Sequence, residues 1–337
     1  MGIWRGCITH IPQTGVRVAQ IFTGQCCVFL HRLVGFGGDS KPKLKAVLIF
    51  VDQVDFCGNC GITSVLGDAV VTMTAGKSAG RAMEADLTLL DDMADAARAI
   101  ALRYFRKDIG LTMKSDASPV TRADREIEDH LRRMLALHAP DDGVFGEEMP
   151  PTGLDRPRLW VIDPIDGTGA FATGSPLFGT LFGLLNEGVP SIGAIEASAT
   201  GERWIGCAGG EAWLNERPCR TSGCTRLARA SIGATAINAY APEARAAFDR
   251  LAARAAITRL GGDCYSYGLV AAGHLDAVIE TGLKPYDFVP IVPIIEAAGG
   301  VMTDWQGAPL TLHSEGHVVA AASTELHEEI CALLRAP

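Results

Sequence analysis

The stretch Leu159-Trp-Val-Ile-Asp-Pro-Ile-Asp-Gly-Thr168 decides how the rest of the chain is read. Leu159 to Ile162 are apolar or aromatic and predict a buried strand. Asp163 and Asp166 follow, three residues apart, with Pro164 stiffening the turn, so both carboxylates can aim at one spot beyond the strand's carboxyl end. Hard oxygen ligands of this kind suit Mg²⁺, which takes one or two carboxylates and fills the rest of its shell with water and phosphate oxygens. Gly167 and Thr168 then offer a backbone N–H and a hydroxyl to a phosphate. The structural alternative is an Asx-type turn in which both Asp residues cap locally.

Three other places repeat this choice. Val144-Phe-Gly-Glu-Glu148 is a short apolar strand ending in two carboxylates, a solvated acidic turn unless a cation gathers them with Asp163 and Asp166. Thr121 and Asp124 have the spacing of an N-cap and its N3 partner ahead of a helix with Ile127, Leu131 and Leu135 inward. Asp287 stands in the first turn of a predicted helix, where the helix dipole alone favours it.

The 337 residues are 48% hydrophobic and 20% charged, a globular composition with room for two domains or one large α/β unit. A net charge of −9 argues against nucleic acid as a partner, and no apolar run is long enough for a membrane span. Charge is uneven: residues 1–82 carry 8 basic and 4 acidic residues, the remainder 22 and 35. That first segment shows no sustained period and is interrupted by glycines. It has no acidic residue before Asp39, as a transit peptide would, but it is poor in serine. Cys57 and Cys60 have the spacing of half a zinc site or a redox pair, with no second pair in support. The expectation is a poorly ordered extension outside the chemistry, with Met73 or Met83 as an alternative start.

From Met83 the chain alternates. Leu87 to Phe105 recur at helical spacing. Residues 176–185, 191–195, 203–207 and 211–214 predict strands joined by turns, so residues 83–215 read as helices packed on a largely antiparallel sheet. Residues 216–337 read as an alternating α/β half: strand 231–237, helix 242–256, strand 257–260, a glycine turn and new helix, strand 275–280, a proline-kinked helix 283–298, strands 301–305 and 317–322, and helix 324–334. Asp263 and Glu280 fall at strand ends, where ligands collect in such layers.

Asp163-Pro-Ile-Asp-Gly-Thr168, with Gly146-Glu-Glu148 before it and Asp287 ahead of Ala298-Gly-Gly300, resembles the inositol monophosphatase superfamily over about residues 83–337. The resemblance implies a layered αβαβα sandwich of the inositol monophosphatase and fructose-1,6-bisphosphatase type. It implies two or three Mg²⁺ ions held by Glu147, Asp163, the Ile165 carbonyl, Asp166 and Asp287. It also implies a water oriented by Thr168 and Asp124, with Glu147 in the catalytic set, and a homodimer. Pro176-Leu-Phe-Gly-Thr180, Gly261-Gly-Asp-Cys264 and Leu283-Lys-Pro-Tyr-Asp287 look like the histidinol-phosphatase branch. The substrate is then expected to be a phosphate monoester bound through Gly167, Thr168, Asp263, Glu280 and Lys284, in a cytoplasmic enzyme. Gly169 departs from that branch, which usually has a basic residue there. The competing readings are an inositol-1-phosphate or related sugar or nucleotide phosphatase, and a non-catalytic member that binds RNA or protein.

Overall fold

The computed structural model describes residues 76–107, 109–114 and 119–336, together with six strands between residues 7 and 72, and places side chains from Met83 onward. It divides into two units, Met1–Leu87 and Thr88–Pro337. In the first, β1 (Cys7–His10), β2 (Arg17–Thr23), β3 (Cys26–Leu33) and β4 (Lys45–Phe50) pair in order as an antiparallel sheet, and β5 (Thr63–Leu66) pairs with β6 (Ala69–Thr72). The Cys57 and Cys60 pair, Met73, and residues 115–118 of the loop before Thr121 lie outside the described residues.

The long helix α1 (Gly76–Tyr104) starts before its apolar period does, and it buries Leu90, Met93, Ala94, Ala97 and Ala101 along one face. After the short ribbon of β7 (Thr112–Met113) and β8 (Pro119–Val120) comes α2 (Arg122–His138), opened by the predicted capping box of Thr121 and Asp124. Then follow β9 (Gly143–Gly146), β10 (Arg158–Asp166), α3 (Thr168–Thr173), β11 (Gly179–Asn186), β12 (Val189–Ala197), β13 (Glu202–Cys207), β14 (Ala212–Leu214) and β15 (Arg217–Cys219). These seven strands form one sheet in the order β15-β14-β13-β12-β11-β10-β9, antiparallel except for β9 beside β10. β15 carries this sheet past residue 215.

The remainder supplies β16 (Ser231–Ala234), α4 (Pro242–Ala252), β17 (Ile257–Leu260), α5 (Asp263–Ala271), β18 (Ala277–Glu280), α6 (Pro285–Phe288), α7 (Val292–Ala297), β19 (Val301–Thr303), β20 (Val318–Ala321) and α8 (Thr324–Leu334). Its five strands are ordered β17-β16-β18-β20-β19, parallel around β16 and antiparallel around β20. β16 ends at Ala234 and α4 at Ala252, both short of expectation. The helix expected over 283–298 is two helices, because Pro290 and Pro293 lack the N–H that would continue it.

The layers run αβαβα, as the resemblance implies. α2 packs on β10, and α1 is tied to the same sheet through Glu196, wholly buried and shared by Arg98 and Arg203. α5 and α7 lie between the two sheets, touching β12 on one side and β18 or β19 on the other, and α8 covers β20 from outside alongside α4. The middle layer is held close by a row of glycines. Gly183, Gly193 and Gly206 are register neighbours across β11, β12 and β13. A Cβ on Gly193 would stand 1.9 Å from the Pro290 carbonyl oxygen, and one on Gly206 2.4 Å from the Ile294 Cα. The bare backbone of this row is what lets the α6–α7 segment rest on the sheet. Among the described residues no helix is long and apolar enough to cross a membrane.

Candidate metal centre and active site

The ladder between β10 and β11 breaks between Asp163 and Asp166, where Pro164 has no N–H to give; its freed carbonyl accepts the Thr180 hydroxyl at 2.8 Å instead. That break, with the first turn of α6, brings single oxygens of Asp163, Asp166 and Asp287 within 4.8 Å of one another. Asp287 accepts the Lys284 N–H at 2.7 Å, and Asp166 accepts the Cys264 N–H at 2.5 Å, where the first turn of α5 favours an anion. Asp163 is buried, and its Oδ1 has no hydrogen-bond partner among the described residues. Burial, then the charges of Glu147, Asp166 and Asp287, push the Asp163 carboxyl well above its ordinary range. Burial likewise pushes Asp287 up to about 7, with the Lys284 N–H opposing and Glu147 adding. An all-oxygen donor set, mutually repelling and with one buried oxygen unpartnered, fits a hard divalent cation.

Around the cluster, the Thr168 hydroxyl donates to the Ile165 carbonyl at 3.0 Å and lies 3.5 Å from Asp124 Oδ1. Asp124 is wholly buried, and its Oδ2 takes the Thr121 N–H at 2.9 Å. One carboxylate therefore caps α2 with one oxygen, as its spacing predicted, and faces Thr168 with the other. Glu147 is not within the trio; it and Glu148 share the Lys114 ammonium at 2.8 and 2.6 Å. Glu128, which the sequence reading passed over, aims this turn. Its buried carboxylate accepts the backbone N–H groups of Glu148 (2.6 Å) and Met149 (3.1 Å), and Arg132 supports it at 2.8 Å. The available signal was its place four residues after Asp124, on the same face of α2.

A cavity of about 150 Å³ opens beside the cluster, lined by Asp166 and Asp287 at one side and by Asp263, Glu280, Tyr240 and Tyr267 among others. Gly167, at φ +81°, has no Cβ to stand 3.0 Å from the Asp263 Cγ, and Asp263 itself holds φ +44°. Burial lifts Asp263 to about 6. Burial also lifts Glu280 to about 7, against its bonds to the Thr235 N–H and the Tyr240 hydroxyl. The Lys284 side chain is exposed and is absent from the cavity wall; its backbone N–H is what serves Asp287.

These shifts have a consequence for stability. Asp287 and Glu280 sit near 7 against ordinary values of 3.8 and 4.5, so between those limits the folded chain holds protons that the unfolded chain has released. The stabilisation is full below about pH 4 and is lost as pH rises through about 7. The metal-free protein should therefore show a falling Tm from about pH 5 to pH 8, and Mg²⁺ should raise Tm more at the higher pH. Thermal melts with and without Mg²⁺ at both pH values check this; an equal metal effect at both contradicts it.

The inositol monophosphatase family model matches residues 84–336. The chain is 38% identical to "Bifunctional phosphatase IMPL2, chloroplastic" of Arabidopsis thaliana over 246 residues, 70% of this chain and 71% of that one. It is 35% identical to a histidinol-phosphatase of Chlorobaculum parvum over 240 residues, 71% of this chain and 93% of the relative. The solved structure of an inositol monophosphatase from Zymomonas mobilis superposes with a TM-score of 0.69 at 42% identity, covering 75% of this chain and 98% of that one. With that match over most of its length and the acidic site where the two sheets meet, the chain belongs to the inositol monophosphatase family of phosphatases.

Proposed function

We propose that this phosphatase is Mg²⁺-dependent and acts on histidinol phosphate. The observation that carries the reading is the cavity wall: Asp263 and Glu280 stand there with Asp166 and Asp287, and among the described residues no lysine or arginine lines it. An alcohol bearing an ammonium and an imidazole is drawn to such a wall by its net charge, whereas a neutral cyclitol offers the carboxylates only its hydroxyl donors. The relative named histidinol-phosphatase supports this choice, and the Zymomonas structure supports inositol 1-phosphate as the alternative.

Asp163, Asp166, Asp287, Glu147 and the Ile165 carbonyl would hold the metal. Bound Mg²⁺ supplies Lewis acidity to the phosphoryl oxygens and lowers the pKa of a water. Thr168 and Asp124 do the rest of the proton handling. When its one proton turns from the Ile165 carbonyl to Asp124 Oδ1, the Thr168 hydroxyl keeps a lone pair free to accept from the attacking water and orient it. Burial raises the Asp124 carboxyl, which makes it a better proton acceptor than an exposed aspartate. No covalent intermediate is needed, and in-line attack follows from positioning. On this reading the activity belongs to residues 83–337, where the family match lies, and residues 1–82 take no part in the chemistry. The cytoplasm is the proposed location, and organellar delivery is the alternative, since the Arabidopsis relative is named chloroplastic.

Initial rates of phosphate release with Mg²⁺ test the choice of substrate. kcat/KM for histidinol phosphate should exceed that for inositol 1-phosphate by about tenfold or more, the equivalent of one well-placed charged contact. Preference for the inositol ester overturns it.

A further inference from the structure

Away from the carboxylate trio, Glu280, Tyr240 and Tyr267 stand on the cavity wall, and the first two are matched. Glu280 takes the Thr235 N–H at 2.8 Å, and the Tyr240 hydroxyl lies 3.2 Å from Glu280 Oε2 and 2.9 Å from the Ile279 carbonyl oxygen. Tyr267 is the third. It is 3% exposed, it lines the cavity, and its hydroxyl has no hydrogen-bond partner among the described residues. A phenol buried without a partner is a cost to the fold, and a hydroxyl kept at a cavity wall on those terms is one that a ligand satisfies.

The placement is built by one helix. The first turn of α5 gives the Cys264 N–H to Asp166, and Tyr267 stands on the next turn of the same helix. α5 is in turn pinned between the sheets by core residues such as Val270 and Ala271, both wholly buried. The distance from the metal cluster to the Tyr267 hydroxyl is therefore set by a rigid element and not by a loop.

We infer that the Tyr267 hydroxyl is a specificity contact, donating a hydrogen bond to a neutral nitrogen or oxygen acceptor on the alcohol part of the phosphate monoester. This rests on the chain being a phosphatase whose cavity takes that alcohol. Burial first, and then the charge of Glu280, hold the phenol well above its ordinary pKa, so it stays a neutral donor. Glu280 and Asp263 attract cationic groups, and Tyr267 adds what they lack, an O–H for the unprotonated nitrogen of an imidazole or for a hydroxyl oxygen. A monoester with a purely hydrocarbon alcohol leaves it unmatched.

Tyr267→Phe removes the one oxygen and keeps the ring. With histidinol phosphate, KM should rise about tenfold, the worth of one hydrogen bond in a site built to make it, while kcat stays within about threefold. With phenyl phosphate, whose alcohol has no such acceptor, both constants should be unchanged, and so should competitive inhibition by inorganic phosphate. Tm should hold or rise, because an unmatched buried hydroxyl has gone. Equal losses on both esters, or no loss on either, overturn the inference. Should the wild type prefer inositol 1-phosphate, the same pair of measurements runs with that ester against phenyl phosphate. A selective loss there retains Tyr267 as the contact even though the histidinol reading has failed.

Discussion

Asp163→Asn is expected to cut kcat/KM for the phosphate monoester by roughly 10³-fold while leaving the metal-free fold at least as stable as the wild type. The amide keeps the shape of the side chain but removes the charge at the centre of the trio of Asp163, Asp166 and Asp287. Losing about 4 kcal/mol of charge stabilisation on the reacting phosphoryl group corresponds to a factor of that size. The stability expectation has the opposite sign. Asp163 is buried with Oδ1 unpartnered among the described residues, and its carboxyl is raised by burial and by four neighbouring carboxylates. Removing one charge from such a set relieves repulsion. Steady-state rates and thermal melts on one preparation decide the matter. Unfolding of Asp163→Asn would make the aspartate structural, and retention of more than a tenth of the activity would remove it from the metal site.

Gly193→Val carries the second large effect, and here stability falls first. The glycine row of Gly183, Gly193 and Gly206 is the seat of the segment from Pro290 to Ile294, and the missing Cβ at Gly193 would meet the Pro290 carbonyl oxygen at 1.9 Å. Backbone cannot rotate out of the way as a long side chain does, so α6 and α7 must lift. Overpacking of this severity costs about 3 kcal/mol, or roughly 6–12 °C in Tm for a domain of this size. Because Asp287 sits in the first turn of α6, the lift also moves a carboxylate of the trio, and activity should drop even where the variant remains folded. Gly169→Ala is the control. A Cβ added there would meet nothing within 4 Å, and the residue occupies a helix, so Tm should hold or rise slightly. Parallel melts of the two variants test this; a Gly193→Val protein as stable as the control contradicts the packing account.

What the sequence makes legible here is whatever is written in neighbouring residues. The apolar run before Asp163 gives β10, Thr121 and Asp124 give the start of α2, and Pro290 and Pro293 give the break between α6 and α7. α8 falls on its expected span because Ser323 caps it and its apolar period is clean. The strands between residues 7 and 72 are not legible in this way, since their runs are short and broken by glycine. α3 is missed because Thr168-Gly-Ala-Phe-Ala-Thr173 is a single short turn with glycine inside it. The site divides along the same line. Asp163 and Asp166 lie on one strand, but Asp287 reaches them through a glycine row spread over three strands, and no local pattern announces that row. Glu128 looks like half of an ordinary surface pair with Arg132; only the fold shows its carboxylate buried against the Glu148 N–H. Tyr267 reads as a core aromatic until the fold sets it in a cavity wall with its hydroxyl buried and without a partner among the described residues.

The central claim is that the carboxylates of Asp163, Asp166 and Asp287 make one divalent-cation site that serves phosphate-ester cleavage. Phosphate release measured against free Mg²⁺, on protein stripped with EDTA and then titrated, tests it most directly. No release without metal is expected, with a saturable return of activity on adding Mg²⁺ that is absent in Asp163→Asn. Wild-type activity undiminished by exhaustive chelation would contradict it, as would a folded, Mg²⁺-binding protein that releases phosphate from neither ester.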